Sequence, residues 1–284
     1  MTIALAIREA ADALAGCSDT PRLDAELLMA HMLGVSRSAM LIQHMKQSPP
    51  PPGFASLIVR RLRHEPVAYI LGEQEFFGLT FRVTPDVLIP RGDSEVLVEM
   101  AIKARPEAKR MLDCGTGSGA LLLAVLHGLP EAEGVGIDRS AAALDVAAGN
   151  AAQLGLDDRA KMLPLDWHSA GWSADLGQFD MILANPPYVE TDADLAPSVR
   201  DHEPAGALFA GADGLDDYRV LVPQLPPLLN PNGVALIEIG SKQAEAVSAI
   251  AERAGFAVTL HRDLAGRPRV LMCKLSLGKG QPNG

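Results

Sequence analysis

From about residue 93 onward, short apolar segments alternate with helical ones, and this alternation limits the possible folds more than any other feature of the chain. The strand-like segments include "RMLDCG", "GVGID", "KMLPLD", "FDMILAN" and "GVALIEIG". Strands that alternate with helices predict an α/β fold, a doubly wound and mainly parallel sheet with helices on both faces. The final segments "FAVTLHRD" and "PRVLMCKL" are joined only by "LAGR". Such a short connection predicts that the last strand is antiparallel, in a hairpin at one edge.

The residues before this region predict two further parts of the chain. Residues 1–68 carry apolar side chains at helical spacing, which the proline run "QSPPPPG" interrupts. This spacing predicts a small all-α N-terminal domain, and we expect that domain to dock the substrate. In residues 69–92, aromatic and β-branched residues alternate with polar ones, which predicts a β-hairpin linker. A larger α/β domain is then expected at 93–277, followed by a flexible tail at 278–284.

The overall charge argues against a protein that binds nucleic acid directly. The 284 residues include 25 Lys and Arg against 35 Asp and Glu, a net charge of −10, and this is the wrong sign for gripping phosphates. The three cysteines are widely spaced, so neither a disulfide framework nor a metal site is expected, and a cytoplasmic location fits. There is no run of about 18 apolar residues, and the first helix carries charges, so neither a membrane span nor a signal peptide is predicted.

A glycine-rich loop follows the first strand of the α/β region. The segment "LDCGTGSGA" at 112–120 contains the candidate ligand-binding residues Asp113, Gly115, Thr116, Gly117, Ser118 and Gly119. Glycines at the carboxyl end of a strand let the backbone approach a ligand closely. The spacing excludes a P-loop, and the third glycine comes one residue sooner than in a dinucleotide-binding loop. A tight turn without a ligand is the alternative.

Two further strand ends carry acidic residues. Asp138 ends the segment "GVGID", where its carboxylate could accept hydrogen bonds from both ribose hydroxyls or could cap the next helix. Asp166 and Trp167 end the third strand and offer an acceptor for an exocyclic amine beside an apolar surface that can lie against adenine. Because the carboxyl ends of parallel strands share one edge of the sheet, the loop and these acids together predict a nucleoside site.

The fourth strand runs into "NPPY", which consists of Asn185, Pro186, Pro187 and Tyr188. Two prolines remove two backbone donors and fix two φ angles, so the carbonyls around them are aimed and cannot join a sheet. The Asn185 side-chain oxygen and a carbonyl of the proline pair could each accept one N–H of a planar amine, with Tyr188 packed over it. An amide nitrogen is a poor nucleophile, so orienting it is useful catalysis. The alternative is a rigid turn.

Together these motifs resemble the class I S-adenosylmethionine-dependent methyltransferases. The resemblance implies S-adenosylmethionine as cofactor and S-adenosylhomocysteine as product. Asp113 and the glycine loop would hold the methionine part, Asp138 the ribose, and Asp166 with Trp167 the adenine, with Asn185 beside the methyl group. "NPPY" is similar to the signature [NDS]-P-P-[YFW] of enzymes that methylate nitrogen conjugated to a planar system, which covers adenine N6 and the glutamine side-chain amide alike.

The flanking segments narrow the resemblance to the peptide chain release factor glutamine N5-methyltransferases, the PrmC or HemK family. These segments are "EPVAYILGEQEFFGLTFRVTPDVLIPRGDSEVLVE", "EPAGALFAGADGLDDYR", "IEIGSKQ" and "DLAGRPRV". The family methylates the glutamine of the Gly-Gly-Gln loop in class 1 release factors and thereby tunes translation termination, so a release factor is the expected partner and a monomer the expected state. The family usually has proline and threonine where this chain has Gly92 and Ser94. Ser94 can still cap the following helix, whereas Gly92 loosens the turn.

Other substrates and another class of function stay open from the motifs alone. The sister family that methylates a glutamine of a large-subunit ribosomal protein shares "NPPY", and adenine-N6 methylation of nucleic acid is the third reading. The other class of function is a non-catalytic adaptor that only binds the cofactor. It is disfavoured because the chain has both the glycine loop and "NPPY". Residues 190–213 are long for a loop and suggest a lid over the target glutamine, with Glu203 and Pro204 near its mouth, or else a passive surface loop.

Overall fold

The N-terminal part of the chain is helical, as the apolar spacing predicts. The computed structural model describes residues 1–47 and 49–276, so the tail predicted at 278–284 lies outside the described residues. The first helices are α1 (Ile3–Leu14), α2 (Pro21–Leu33), α3 (Arg37–Gln43), α4 (Phe54–Leu62) and α5 (Val67–Leu71). Their apolar faces share one buried cluster that includes Ile7, Leu28 and Met29.

The linker forms the predicted hairpin. Strands β1 (Glu73–Phe76) and β2 (Leu79–Arg82) form a two-stranded sheet. Between them Phe77 and Gly78 both have positive φ angles, 52° and 74°, as a two-residue turn that follows the right-handed twist of the strands requires. The turn of the hairpin is tied to a residue further along the chain, because the Phe77 N–H donates to Glu95 Oε1 over 2.9 Å.

A seven-stranded sheet forms the centre of the remaining chain. Its strands are β3 (Arg110–Cys114), β4 (Glu133–Asp138), β5 (Ala160–Pro164), β6 (Phe179–Ala184), β7 (Leu229–Glu238), β8 (Phe256–Arg262) and β9 (Pro268–Leu275). They lie in the order β5-β4-β3-β6-β7-β9-β8. The first five are parallel, whereas β9 is antiparallel to both β7 and β8. This confirms the predicted fold class and the antiparallel hairpin at the edge.

Helices cover both faces of this sheet. They are α6 (Glu95–Ala104), α7 (Ala120–Gly128), α8 (Ala141–Gln153), α10 (Asp216–Leu221) and α11 (Ala244–Arg253), whereas the short helix α9 (Pro197–Arg200) belongs to the smaller of the two units described next. Successive side chains of a strand point to opposite faces, and Met111 and Leu112 of β3 accordingly belong to two different buried clusters. Both strand faces are therefore apolar, as a buried parallel sheet requires.

The chain forms two compact units. The smaller consists of Met1–Gln74, Val83–Pro85 and Leu195–Glu203, and the larger of Glu75–Arg82, Asp86–Asp194 and Pro204–Gly284. Within the smaller unit, His202 Nε2 lies 3.0 Å from the Arg63 carbonyl oxygen. In the part of the chain that the structure describes, no single helix is long and apolar enough to cross a membrane; α2 and α3 pass that test only together and are bent by 86° at their break.

Candidate active site

The glycine loop connects β3 to α7 and is tied to the neighbouring strand. Gly115, Gly117 and Gly119 have φ angles of 76°, 55° and 81°, a region that side-chain-bearing residues rarely adopt. The Gly115 and Thr116 N–H groups both donate to the Ile137 carbonyl over 2.9 Å. A Cβ at Gly119 would lie 3.0 Å from Leu123 Cδ1, so this glycine lets the loop pack tightly against the start of α7.

Asp113 lies beneath the loop and is only 1% exposed. Its Oδ2 accepts a hydrogen bond of 2.7 Å from the Thr116 hydroxyl. Burial raises the pKa of this carboxyl to about 7, against the hydrogen bond from Thr116, and the nearby charge of Asp138 raises it further. The side chain thus braces the loop from below.

Asp138 at the end of β4 joins the loop to the next helix. Its Oδ2 accepts from the Gly117 N–H over 3.0 Å and its Oδ1 from the Ser140 N–H over 2.9 Å. The cap of α8 is Ser140, whose hydroxyl accepts from the Ala143 N–H over 3.2 Å. The helix-cap alternative for Asp138 is therefore wrong, because the residue two positions later fills that role.

The third strand end is built around Trp167. The indole N–H donates to Asp217 Oδ1 over 3.1 Å, and Gln224 Nε2 donates to the Trp167 carbonyl over 3.0 Å. A Cβ at Gly115 would lie 3.1 Å from the indole ring, so the glycine allows the ring to lie against the loop. Asp166 Oδ1 accepts from the His168 N–H over 2.9 Å. Both polar ends of Trp167 are fixed, which holds its apolar surface at the cavity.

The "NPPY" segment follows β6 at the same edge of the sheet. Asn185 is half-buried, and the described residues offer its side-chain amide no hydrogen bond. Pro186 is buried, and Tyr188 packs against the apolar cluster on one sheet face. The Tyr188 carbonyl accepts from Gln243 Nε2 over 3.0 Å. Burial raises the pKa of the Tyr188 phenol, and the Glu238 charge adds to the rise.

One cavity brings most of the predicted site residues together, and every residue that lines it belongs to the larger unit. The predicted residues in its wall are Gly115, Thr116, Gly117, Ser118, Asp138, Asp166, Trp167, Asn185 and Pro187. The predicted residues outside its wall are Asp113, Gly119, Pro186 and Tyr188. Pro204 from the proposed lid also lines the cavity.

Sequence reasoning missed several lining residues, among them Phe76, Arg91, Arg139 and Asp217. Arg139 Nη2 donates to the Gly206 carbonyl over 2.9 Å, so it joins the end of β4 to the segment after Pro204. Arg139 could have been predicted as a lining residue, because it directly follows Asp138 in the sequence. Nothing in the sequence points to Asp217, because it reaches Trp167 from a helix 50 residues downstream.

The hydroxyl of Ser94 has a different role from the one the sequence suggests. Ser94 precedes α6 but its side chain makes no cap hydrogen bond to that helix. It instead hydrogen-bonds the carboxyl of Glu238, at the end of β7. The expectation that Ser94 caps α6 is therefore wrong, because a buried carboxyl group competes for the hydroxyl. Burial raises the pKa of Glu238 to about 7, although Ser94 and Arg269 oppose the rise.

Fold and site together define the class of protein. Residues 106–258 match a methyltransferase domain. The solved structure of ribosomal protein L11 methylase from Lactobacillus delbrueckii subsp. bulgaricus is 22% identical and superposes with a TM-score of 0.50 over 69% of this chain and 85% of that one, which shows the shared fold. The chain has the features of a class I methyltransferase: a doubly wound sheet, a glycine loop after its first strand and "NPPY" after its fourth.

Relatives at higher identity identify the family within this class. Residues 6–72 match the PrmC N-terminal domain. The release factor glutamine methyltransferase of Bordetella pertussis is 44% identical over 257 residues, which cover 88% of this chain and 93% of the relative. That of Cereibacter sphaeroides is 41% identical over 282 residues, which cover 97% and 99%. The chain belongs to the release factor glutamine methyltransferase family.

Proposed function

We propose that this protein transfers a methyl group from S-adenosylmethionine to the side-chain amide nitrogen of the glutamine in the Gly-Gly-Gln motif of class 1 peptide chain release factors. The observation that carries the proposal is the side-chain amide of Asn185. It lines the cavity at the end of β6, finds no hydrogen-bond partner among the described residues, and lies at the same sheet edge as the glycine loop.

The residues around the cavity fit S-adenosylmethionine. Gly117 leaves room for close backbone approach of a ligand, because a Cβ there would meet only the Gly115 carbonyl, at 4.0 Å. Asp138 keeps lone pairs for the ribose hydroxyls, since a carboxylate offers about four acceptor positions and the chain uses two. Asp166 and the fixed face of Trp167 suit an adenine ring. Asp113, which lies below the loop, would act by bracing it.

Asn185 would orient the acceptor amide. Its side-chain oxygen can accept one N–H of the substrate glutamine, and a carbonyl of the proline pair can accept the other. Accepting both hydrogens fixes the amide plane and raises electron density at nitrogen, whose lone pair is otherwise delocalised. When bound, S-adenosylmethionine supplies a methyl group on a sulfonium sulfur. The nitrogen–carbon bond forms as the carbon–sulfur bond breaks, and the methylated amide nitrogen releases a proton to water.

Methyl transfer to a purified factor tests this proposal. The protein is incubated with S-adenosylmethionine and an unmethylated class 1 release factor, and the Gly-Gly-Gln peptide is analysed by mass spectrometry. We expect one added methyl on the glutamine amide, and none on a factor whose motif glutamine is replaced by glutamate. Transfer to neither factor, with S-adenosylmethionine still bound, would reject the release factor as substrate and leave ribosomal protein and adenine as the substrates to assay.

A further inference from the structure

One wall of the cavity is a short segment before α6 whose turn contains a glycine. Pro90, Arg91 and Ser94 line the cavity. Between them Gly92 begins a single 3-10 turn, Gly92–Ser94, and glycine leaves a chain freer than any other residue. Because the glycine gives the backbone of this turn more freedom, contacts made by side chains are needed to hold the wall in one position.

Asp93 provides such an anchor, because two arginines from the far end of the chain hold its carboxylate. Arg267 Nη2 donates to Asp93 Oδ1 and Oδ2 over 3.1 and 3.0 Å, and Arg269 Nη2 donates to Oδ2 over 2.8 Å. Paired N–H groups on one carboxylate fix its direction as well as its position. Arg269 is only 7% exposed, so its side chain is fixed by the surrounding protein, whereas the Asp93 and Arg267 side chains are 42% and 51% exposed.

The turn that presents these arginines is itself held by one acidic residue. Asp263 Oδ1 accepts from the N–H groups of Ala265 and Arg267, each over 2.9 Å. Its Oδ2 accepts from Arg267 Nε over 2.7 Å. The Asp263 N–H donates in turn to the Arg267 carbonyl over 2.9 Å. The β8–β9 turn is therefore preorganised, and the position of Arg267 does not depend on Asp93 alone.

The strand order places this anchor on the acceptor side of the site. Asp138 ends β4 and Asp166 follows β5, on one side of β3, whereas Asn185 follows β6 on the other side. The arginines belong to β9 or its turn, next to β7. Ala184 is paired with Ile237, so Asn185 and Glu238 come next in register at the same edge. Arg269 attracts Glu238, which also bonds Ser94 of the wall.

We propose that Asp93 is a positioning residue for methyl transfer: Arg267 and Arg269 hold its carboxylate and thereby fix the wall of the cavity beside Asn185. This inference rests on the proposed function for its kinetic consequence. Loosening the wall displaces the acceptor amide and leaves the nucleoside side, built by β4 and β5, in place. The rate of transfer should therefore fall while cofactor affinity stays the same.

A double-mutant cycle tests the anchor. We expect Asp93→Ala to lower kcat about tenfold on the release factor and Arg267→Ala to lower it less, because Arg269 still holds Asp93 in that variant. The double variant should be no slower than Asp93→Ala, since Arg267 acts on the wall only through Asp93. The Kd for S-adenosylmethionine should stay within about twofold of the wild-type value. Glu99→Ala, which removes the exposed ion pair to Lys103 on the following helix, is the matched control and should leave kcat unchanged.

Hydrogen exchange separates this inference from the proposed function. Amide exchange in residues 88–94 should be faster in Asp93→Ala than in the wild type and in Glu99→Ala, with S-adenosylhomocysteine bound in each case. A wild-type protein that does not methylate the factor would reject the proposed function, and faster exchange would still support the anchor. Unchanged exchange, additive losses of kcat, or a cofactor affinity that falls in step with kcat would each overturn the positioning role.

Discussion

The Gly117 N–H donates to Asp138 Oδ2 over 3.0 Å, so the glycine loop and the acid at the end of the next strand hold each other in place. Neither residue can move alone: the loop positions the carboxylate, and the carboxylate keeps Gly117 in its left-handed conformation, φ 55°. The same carboxylate would then serve a ligand that touches both. Cofactor affinity should therefore depend on Asp138 more strongly than a single ligand contact would suggest.

Replacing Asp138 should weaken cofactor binding. We expect Asp138→Ala to raise the Kd for S-adenosylmethionine by about 10- to 100-fold, roughly 1.4 to 2.8 kcal/mol, because both the ribose contact and the loop support are lost. Isothermal titration of the wild type and the variant measures the change. An affinity within about twofold of the wild type would mean that the cavity holds its ligand without this carboxylate.

Replacing Asn185 should slow methyl transfer and leave cofactor affinity almost unchanged, which is the opposite of the effect expected for Asp138. Its amide has no described partner within the protein, so Asn185→Ala leaves no partner group unpaired and should not destabilise the fold. We expect kcat to fall by about 100-fold or more, with a cofactor Kd within about twofold, because the orienting acceptor acts mainly in the transition state. Single-turnover kinetics with the release factor measures this. Near-normal turnover would remove Asn185 from the mechanism.

The buried carboxyl of Glu238 should make stability depend on pH. Its pKa in the folded protein is about 7, above its ordinary value of 4.5. The folded state therefore binds this proton more tightly, so the contribution to stability is complete below about pH 4.5 and is lost as the pH rises through 7.

Glu238→Gln removes this titration. The free energy of unfolding of the variant relative to the wild type should rise by up to about 3 kcal/mol between pH 5 and pH 8. Urea unfolding of both proteins at the two pH values measures the change. Asp113 shifts in the same direction but is present in both proteins, so the comparison isolates Glu238. A wild type that gains stability over the variant at pH 8 would contradict this account.

Gly92 offers a site for stabilisation. A Cβ there would meet nothing within 4 Å, and Arg91 is extended, with φ −105° and ψ 141°, the conformation that a residue before proline prefers. Proline also suits the first position of a helical turn. We expect Gly92→Pro to raise the free energy of unfolding by about 0.5 to 1 kcal/mol, mainly by restricting the unfolded chain.

Thermal and urea unfolding test this substitution. Gly119→Ala is the matched control with the opposite expectation, because its φ of 81° and the 3.0 Å approach to Leu123 both oppose a side chain. It should destabilise the protein by about 1 kcal/mol or more. Destabilisation by Gly92→Pro as well would show that the turn depends on the freedom of its glycine.

The parts of the structure that could be predicted from the sequence are those with a local signature. Alternating strands and helices indicate the doubly wound sheet, and the hairpin signal around Gly78 is confirmed. The glycine loop, Asp138 and Asn185 each follow a strand, so parallel topology alone predicts that they meet at one edge. The structure brings them around one cavity, although their contacts with a ligand remain predictions.

The missed features depend on residues that are distant in sequence. Asp217 reaches Trp167 from 50 residues away, and Arg267 reaches Asp93 from 174 residues away. Such pairs have no periodicity and no motif, because only the folded sheet brings them together. Ser94 shows the same effect in reverse: a helix-cap prediction based on local sequence fails because a buried carboxyl group from a distant strand takes the hydroxyl.

The smaller unit is completed by Leu195–Glu203, a segment that lies far downstream of its helices. His202 touches the carbonyl of Arg63 in that unit. During translation the N-terminal helices leave the ribosome first, and their buried cluster contains only residues from their own part of the chain, so it can form early. The segment at 195–203 joins them only after most of the chain has been made, so the unit that starts to fold first is completed late.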